Sequence, residues 1–235
     1  MRNRLFILIL FGILTLGLPM TAAALAMDVE AKGGVGLGLG TTNNSDITGA
    51  ARVSAGGGVG IDLYLLKVGS VDLGIAVGAE YSYLTFHSTW ANKIPVLAPG
   101  GASDLTTDST YNYLDLPIAL VGSVPINPSL KLIVRAGGFI GYFLSGTANN
   151  TFSNPNYQSQ NGSVPLDSNS TNQWEYGLHF TAGADLGLGG GLSVEPALQF
   201  DMGLADTTPN NAQNGNFNDT FWSLTVVVGI KYNVL

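Results

Sequence analysis

Val53-Ser-Ala-Gly-Gly-Gly-Val-Gly-Ile-Asp-Leu-Tyr-Leu65 and, after a short break, Val71-Asp-Leu-Gly-Ile-Ala-Val-Gly-Ala-Glu-Tyr-Ser-Tyr83 are the segments on which the fold turns. Odd positions carry Val53, Ala55, Val59, Ile61, Leu63 and Leu65, then Val71, Leu73, Ile75, Val77, Ala79, Tyr81 and Tyr83. Even positions carry mostly Ser, Gly and Ala, together with Asp62, Asp72 and Glu80. Successive side chains of a strand point to opposite faces, so this alternation describes strands with one apolar face. The period returns at 114–121, 130–144, 174–186, 192–202 and 222–234. A weaker first run extends from Val29 to Gly40, with Val35, Leu37 and Leu39 set against glycines.

That makes eight strands. Most are longer than the ~9–11 residues a tilted strand needs to cross a bilayer. Short connections fall near 66–70, 125–129 and 188–191; long ones fall near 41–49, 88–110, 146–173 and 205–219. Alternating short turns and long loops characterise an outer-membrane barrel, with the short turns and both termini on the periplasmic side.

Charge parity discriminates further. Arg52, Asp62, Asp72, Glu80, Asp115, Lys131, Arg135, Glu175, Asp185, Glu195, Asp201 and Lys231 all fall on the less apolar face, and His179 shares it. A soluble half-buried sheet would alternate in the same way, but with a densely charged outer face. Charged residues make up only 11% of this chain, against roughly 25% in soluble domains, and it contains 32 glycines. The apolar face therefore reads as lipid-facing and the small, polar face as luminal. Eight strands leave an interior just wide enough for side chains. Buried charges must pair, so Arg52, Lys131, Arg135 and Lys231 are expected to meet luminal carboxylates. The carboxylates outnumber them, and the remainder should stay hydrated or hold a proton.

Aromatics gather near the expected strand ends. Tyr81, Tyr83, Phe86, Trp90, Tyr111, Tyr113, Tyr142, Trp174, Tyr176 and Trp222 lie toward the long loops; Tyr64 and Tyr232 lie toward the short turns. They read as two interfacial belts. Pro117 and Pro196 sit within strands, where each removes a ladder donor, so a bulge or an irregular pair is expected at both.

The N-terminus reads as a cleaved signal peptide over residues 1–26, leaving a barrel domain over 27–235. Arg2 and Arg4 precede an apolar run, Leu5 to Leu18, and Ala24-Leu25-Ala26 has the small-x-small cleavage pattern. The run falls short of the ~20 residues of a membrane helix. Loss of Arg2 and Arg4 takes the formal charge from −7 to −9, a balance that argues against a nucleic-acid partner. With 0 Cys there is no disulfide, thiol nucleophile or lipid-anchored cysteine.

Tyr113-Leu-Asp-Leu-Pro-Ile-Ala-Leu120, followed by Leu132-Ile-Val-Arg-Ala-Gly-Gly-Phe-Ile-Gly-Tyr-Phe-Leu144, resembles the PorT-type outer membrane protein β-barrel domain (porin-like) family. The matching positions are Tyr113, Leu114, Asp115, Pro117, Ala136, Gly137, Gly141 and Tyr142. The chain departs from many outer-membrane proteins by ending Tyr232-Asn-Val-Leu235 and not in Phe. The resemblance implies outer-membrane residence and supplies no catalytic residues.

Chemistry is sparse. His87 and His179 are the two histidines. His179 shares a face with Glu175, as a barrel enzyme with a hydroxyl, a His and an acid would need, but a hydrogen-bonded luminal His is the simpler reading. Gly33–Gly40 and Gly187–Gly191 lack the following Lys-Ser/Thr of a phosphate loop. Asp104–Asp108 reads as a solvated loop and not as a calcium site. No catalytic, cofactor-binding or metal residue is assigned. The reading is all-β: an eight-stranded antiparallel transmembrane β-barrel, an up-and-down meander, resident in the bacterial outer membrane. Its expected role is structural, or adhesive through surface loops, without catalysis. Expected partners are outer-membrane lipid, the outer-membrane assembly machinery and an extracellular ligand held by loops 88–110 and 146–173. Two alternatives stand beside it: a narrow pore for water or small solutes, and a soluble exported barrel binding a small apolar ligand.

Overall fold

A computed structural model of the chain describes residues 26–42, 45–94, 101–167, 170–207 and 219–234. Apart from Ala26, the signal-peptide segment lies outside the described residues. The strands are β1 (Ala26–Thr42), β2 (Ile47–Val68), β3 (Val71–Ile94), β4 (Ser103–Asn127), β5 (Leu130–Phe152), β6 (Gly162–Leu166), β7 (Trp174–Gly189), β8 (Leu192–Gly203) and β9 (Asp219–Asn233). Eight of them form an antiparallel meander, closed where β9 pairs with β1 from Asp28↔Asn233 to Thr42↔Asp219. Closure removes the unpaired strand edges that lipid cannot satisfy. The ninth, β6, is an addition to the expected set: five residues that fold back onto β5 between Gly146↔Leu166 and Asn150↔Gly162. The short turns fall where the sequence places them, and positive-φ Gly69, Gly190 and Gly191 allow two of them to be tight.

The apolar face is outside. Val53, Val59, Leu120, Val134, Leu198, Val226 and Ile230 are all more than half exposed. Asp62, Arg135, Glu195 and Lys231 point inward and are buried. This inside-out arrangement excludes the soluble barrel with an apolar interior, and it is the arrangement a bilayer demands.

Two local expectations are corrected. Residues 88–110 are not a loop, because β3 runs to Ile94 and β4 starts at Ser103. Residues 146–173 likewise contain the end of β5, a 3-10 turn at Pro155–Gln160, and β6. These upper segments are rich in Thr and Ser and lack an apolar period, since they face neither lipid nor a core. Their ladder hydrogen bonds and the β-preference of Thr hold them extended. The prolines give the irregular pair expected of them, without a bulge. Beside Pro117 the β3–β4 pairing lapses between Val77↔Ile118 and Glu80↔Asp115, then resumes in the same register. Beside Pro196 the β7–β8 pairing lapses between Gly183↔Ala197 and Leu186↔Val194, also without a shift. A missing donor weakens one ladder locally, while the opposite ladder holds the phase.

The aromatics are the second expectation to change. Tyr81, Tyr83, Tyr142, Trp174 and Tyr176 are exposed on the outer face at one end, and Tyr232 is exposed at the other. Phe86, Tyr111 and Tyr113, however, point inward and pack with Phe143 and Phe221. Phe86 stacks on Phe221 at a centroid distance of 4.1 Å, and Tyr113 meets Phe143 edge-on at 5.6 Å. Tyr64 is buried inside the opposite end with Ala76, Ala119, Val121 and Ile133.

Glycine sets how closely the wall packs. A Cβ on Gly137 would strike the Ile118 carbonyl oxygen and the Ala119 Cα, which are backbone atoms that cannot move aside. A Cβ on Gly33 would find its nearest neighbour, Gly56 O, at an ordinary 3.8 Å. Gly137→Ala should therefore destabilise the barrel by about 1–3 kcal/mol, whereas Gly33→Ala should stay within ~0.5 kcal/mol of wild type. Urea unfolding of refolded protein in detergent micelles, followed by tryptophan fluorescence, would measure both.

Candidate functional site: the lumen and its charge network

Inward-facing positions of all eight wall strands place charges toward one axis. In the short-turn half of the lumen, Arg135 of β5 reaches across to β2 and β8. Its Nε and Nη2 donate to the two carboxylate oxygens of Asp62 at 3.0 and 2.7 Å. Its Nη1 and Nη2 donate to the two oxygens of Glu195 at 2.5 and 3.0 Å. Two bidentate pairings use the guanidinium's planar fork on both sides. Glu30 of β1 lies 3.4 Å from Nη2. Lys231 of β9 joins the same carboxylates, with its Nζ 3.0 Å from Asp62, 3.1 Å from Glu195, 3.5 Å from Asp28 and 3.9 Å from Asp185. Arg135 and Lys231 are 4% and 1% exposed, so this knot fills the bore.

The middle of the lumen holds a second layer. Lys32 of β1 contacts Glu80 at 2.7 Å and donates to Gln199 at 2.9 Å. Gln199 donates to Glu80 and Asp201 at 3.0 and 2.8 Å. Asp201 faces His179 Nδ1 at 2.6 Å, and His179 Nε2 faces the Thr181 hydroxyl at 3.2 Å. His179 thus takes Asp201, across the β7–β8 pair, as its acid partner, and not Glu175. Above this layer Ser82 donates to Asp115, and Glu175 is buried beside Asp115. The inward aromatic cluster caps the stack.

Not every expected member belongs to the network. Arg52 lies outside the lumen. Between Ala51 and Ala55, β2 carries one residue more than β3, and this bulge breaks the inward phase. Arg52 Nη2 instead meets His87 Nδ1 at 2.8 Å and Asp108 at 3.2 Å on the exposed outer wall. Asp72 pairs with Lys67 at 3.5 Å beside a short turn. Lys131 is half-buried near the periplasmic rim and makes no ion pair among the described residues. Conversely, Asp28, Glu30, Lys32 and Gln199 belong to the network, although the sequence reading singled out none of them. The signal for the first three was present: the even-position phase of β1 continues back from its glycines through Lys32, Glu30 and Asp28. Among the described residues no group of three or more His, Cys, Asp or Glu has the arrangement of a metal site.

Removing one partner of a buried charge network leaves the others desolvated and unpaired. Arg135→Ala should cost about 3–5 kcal/mol, and Lys131→Ala should stay within ~0.5 kcal/mol of wild type, as read by urea unfolding in micelles. On the outer wall, hydrogen bonds from His87 and Arg52 hold the Asp108 carboxylate below its usual range. A lowered folded-state pKa gives stability that is present above the unfolded value of ~3.9 and is lost as pH falls through the folded value. The small stability difference between wild type and Asp108→Asn should therefore be constant near neutrality and vanish in acid; pH-dependent unfolding would show it.

The sequence profile of the outer membrane protein beta-barrel domain family matches residues 22–208. No curated protein sequence matches the chain. Among solved structures, the outer membrane protein OprG from Pseudomonas aeruginosa is 12% identical, with 89% of this chain and 98% of that one covered at a TM-score of 0.45. Ail, the attachment invasion locus protein of Yersinia pestis, is 10% identical, with 87% and 98% covered at 0.37. The outer membrane protease OmpT from Escherichia coli is 10% identical, with 91% and 99% covered at 0.43. A profile match over most of the chain, onto a closed meander with its apolar face outward, places the protein in the bacterial outer membrane: the chain belongs to the outer membrane protein beta-barrel domain family.

Proposed function

We propose that this barrel is a closed, non-conducting and non-catalytic membrane anchor that presents a binding surface to the exterior. The observation that carries the reading is the filled bore: the Arg135–Lys231 knot, the Lys32–Glu80 layer and the aromatic cap block it in succession. Three spaces between the luminal side chains are about 20 Å³ each, room for one water. This weighs against the pore alternative. It also weighs against catalysis by the Thr181–His179–Asp201 line, because the spaces beside Asp201 and His179 have room for about one water.

The presented surface is the upper sheet. β5 continues ten residues beyond Tyr142, the partner of the first residue of β7. β2, β3, β4 and β6 rise with it, so one side of the barrel stands above the other. Its outer face carries cross-strand rows, Thr48↔Thr89↔Thr106↔Thr151 and Thr85↔Thr110↔Thr147, with His87, Asp108 and Asn149 between them. Hydroxyl and amide groups on a fixed sheet suit a polar extracellular ligand. Segments 88–110 and 146–173 thus keep their proposed ligand role as strands, not as free loops.

Within the family, the run Tyr113 to Leu120 and the Ala136-Gly137 and Gly141-Tyr142 pairs favour the PorT-type branch. Arg2, Arg4 and the apolar run to Leu18 favour a cleaved signal peptide over 1–26, delivery to the outer-membrane assembly machinery, and a mature domain over 27–235. Membrane fractionation with heat-modifiable gel migration tests the residence. Single-channel recording in planar bilayers tests the function: the wild-type barrel should give no resolvable steps. Steady, reproducible steps from pure wild-type protein would overturn the closed-anchor reading in favour of the pore.

A further inference from the structure

We infer that the outer face of the upper sheet, the presented surface of the closed-anchor reading on which this rests, docks the saccharide headgroups of a glycolipid in the surrounding leaflet. The face is stratified. Tyr81, Leu114, Tyr142 and Trp174 are cross-strand partners on β3, β4, β5 and β7, and all are exposed, so they mark the rim of the apolar belt. The next row, Tyr83↔Asn112↔Ser145, is mixed. Above it lie Thr85↔Thr110↔Thr147, then His87↔Asp108↔Asn149, then Thr89↔Thr106↔Thr151. The change from apolar to hydroxyl and amide groups is complete within four residues of strand, and no large apolar side chain returns to these rows.

These rows continue the wall that lipid already covers, so their nearest occupant is a lipid of the same leaflet. Tyr81 donates to Asn112 at 2.5 Å, and Asn112 donates to the Ser145 carbonyl and hydroxyl oxygens at 3.2 and 3.1 Å, tying the belt to the polar rows. Above that tie, the hydroxyls of Thr89, Thr106, Thr110, Thr147 and Thr151 make no hydrogen bond among the described residues. Strand preference would be met by Val or Ile as well as by Thr, so it does not explain why both are missing from these rows.

Height selects among lipids. From Tyr83 to Thr89 the strand advances six residues, about 20 Å at ~3.3 Å each, which is about 15 Å of height at a tilt of ~40°. The polar layer of an ordinary bilayer is about 5–8 Å thick on each side. A phosphate headgroup would reach the lowest Thr row, whereas a headgroup of several sugars reaches the highest. Charge selects in the same direction. The Arg52 guanidinium beside these rows is already held by Asp108 at 3.2 Å and His87 at 2.8 Å, so phosphate finds no free positive charge there among the described residues. Threonine hydroxyls both donate and accept, as sugar hydroxyls do, and adjoining strands ~4.8 Å apart let one sugar ring meet two of them.

The test uses the whole barrel refolded into phosphatidylcholine nanodiscs. Energy transfer from tryptophan, with Trp174 in the belt, reports a fluorescent acyl label on one of two probes. One is a lipooligosaccharide; the other is the same lipid stripped of its core sugars by mild acid, which keeps its phosphates and acyl chains. Wild type should gather the intact lipid about five-fold over the stripped one, the equivalent of one net hydrogen bond. T89V/T106V/T110V/T147V keeps shape and strand preference while removing four hydroxyls, and it should fall to parity with unchanged heat-modifiable migration. T110V/T147V, a milder change to the sheet, should lose at least half of the preference. Parity between the probes in wild type overturns the inference, and so does a preference that both variants retain in full. It is equally overturned if the freed core oligosaccharide binds wild type as tightly as the intact lipid does, which would identify a soluble glycan as the ligand. None of these outcomes bears on conductance, so the closed-anchor reading is decided separately by single-channel recording.

Discussion

A single guanidinium holds opposite walls of this barrel together. Arg135 extends from β5 and binds the carboxylates of Asp62 on β2 and Glu195 on β8, each through two hydrogen bonds. Ladder hydrogen bonds fix neighbouring strands but say nothing about strands on opposite sides. Packing supplies that link only in two inward clusters, one around Phe86 and Phe221 and one around Tyr64, because most other large apolar side chains point outward. Between those clusters charge takes the place of a hydrophobic core. The two cations of the lower knot each touch several acids, so no carboxylate near them stands alone, and the lumen is filled by groups that water would otherwise solvate.

Glycine is the other half of this arrangement. Long polar side chains can cross a narrow bore only if the positions between them are empty. Gly137 on β5 and Gly58 on β2 provide that emptiness, with neighbouring backbone already where a Cβ would sit. Low charge density and high glycine content are thus two aspects of one geometric requirement. Lipid claims one face, and crowding limits what the other can hold.

Much of this was legible in the sequence because a strand's period is fixed by geometry. Within the membrane, parity alone assigned Asp62, Glu80, Asp115, Arg135, Glu175, His179, Asp185, Glu195, Asp201 and Lys231 to the face they occupy. It missed Glu30 and Lys32 because β1 contains few apolar residues with which to set the phase. It misread Phe86, Tyr111 and Tyr113 because an aromatic near a strand end suits either a membrane belt or an internal cap. Their parity, opposite to that of Tyr81, Tyr83 and Leu114, held the answer. Above the membrane the method loses its footing. No lipid imposes alternation there, so the upper halves of β3 and β4 carry no pattern, and Arg52 follows a bulge that leaves no trace in composition.

The bulges divide the molecule into two regimes of evolutionary freedom. The register shifts at Leu66, Asn127 and Gly189 by the short turns, and between Trp90 and Ile94 at the top, sit near strand ends. Two others bound the membrane-embedded part: one on β2 between Ala51 and Ala55, and one on β5 beside Leu144, where Asn112↔Ser145 gives way to Tyr113↔Phe143. Below them, inserting one residue would turn every lipid-facing side chain inward and every luminal charge into the bilayer, so length is frozen. Above them the phase has already been broken once, and both faces meet water. The upper sheet can gain or lose single residues while the membrane-embedded part stays in register. The surface most exposed to outside selection is therefore the one whose length the fold leaves free to change.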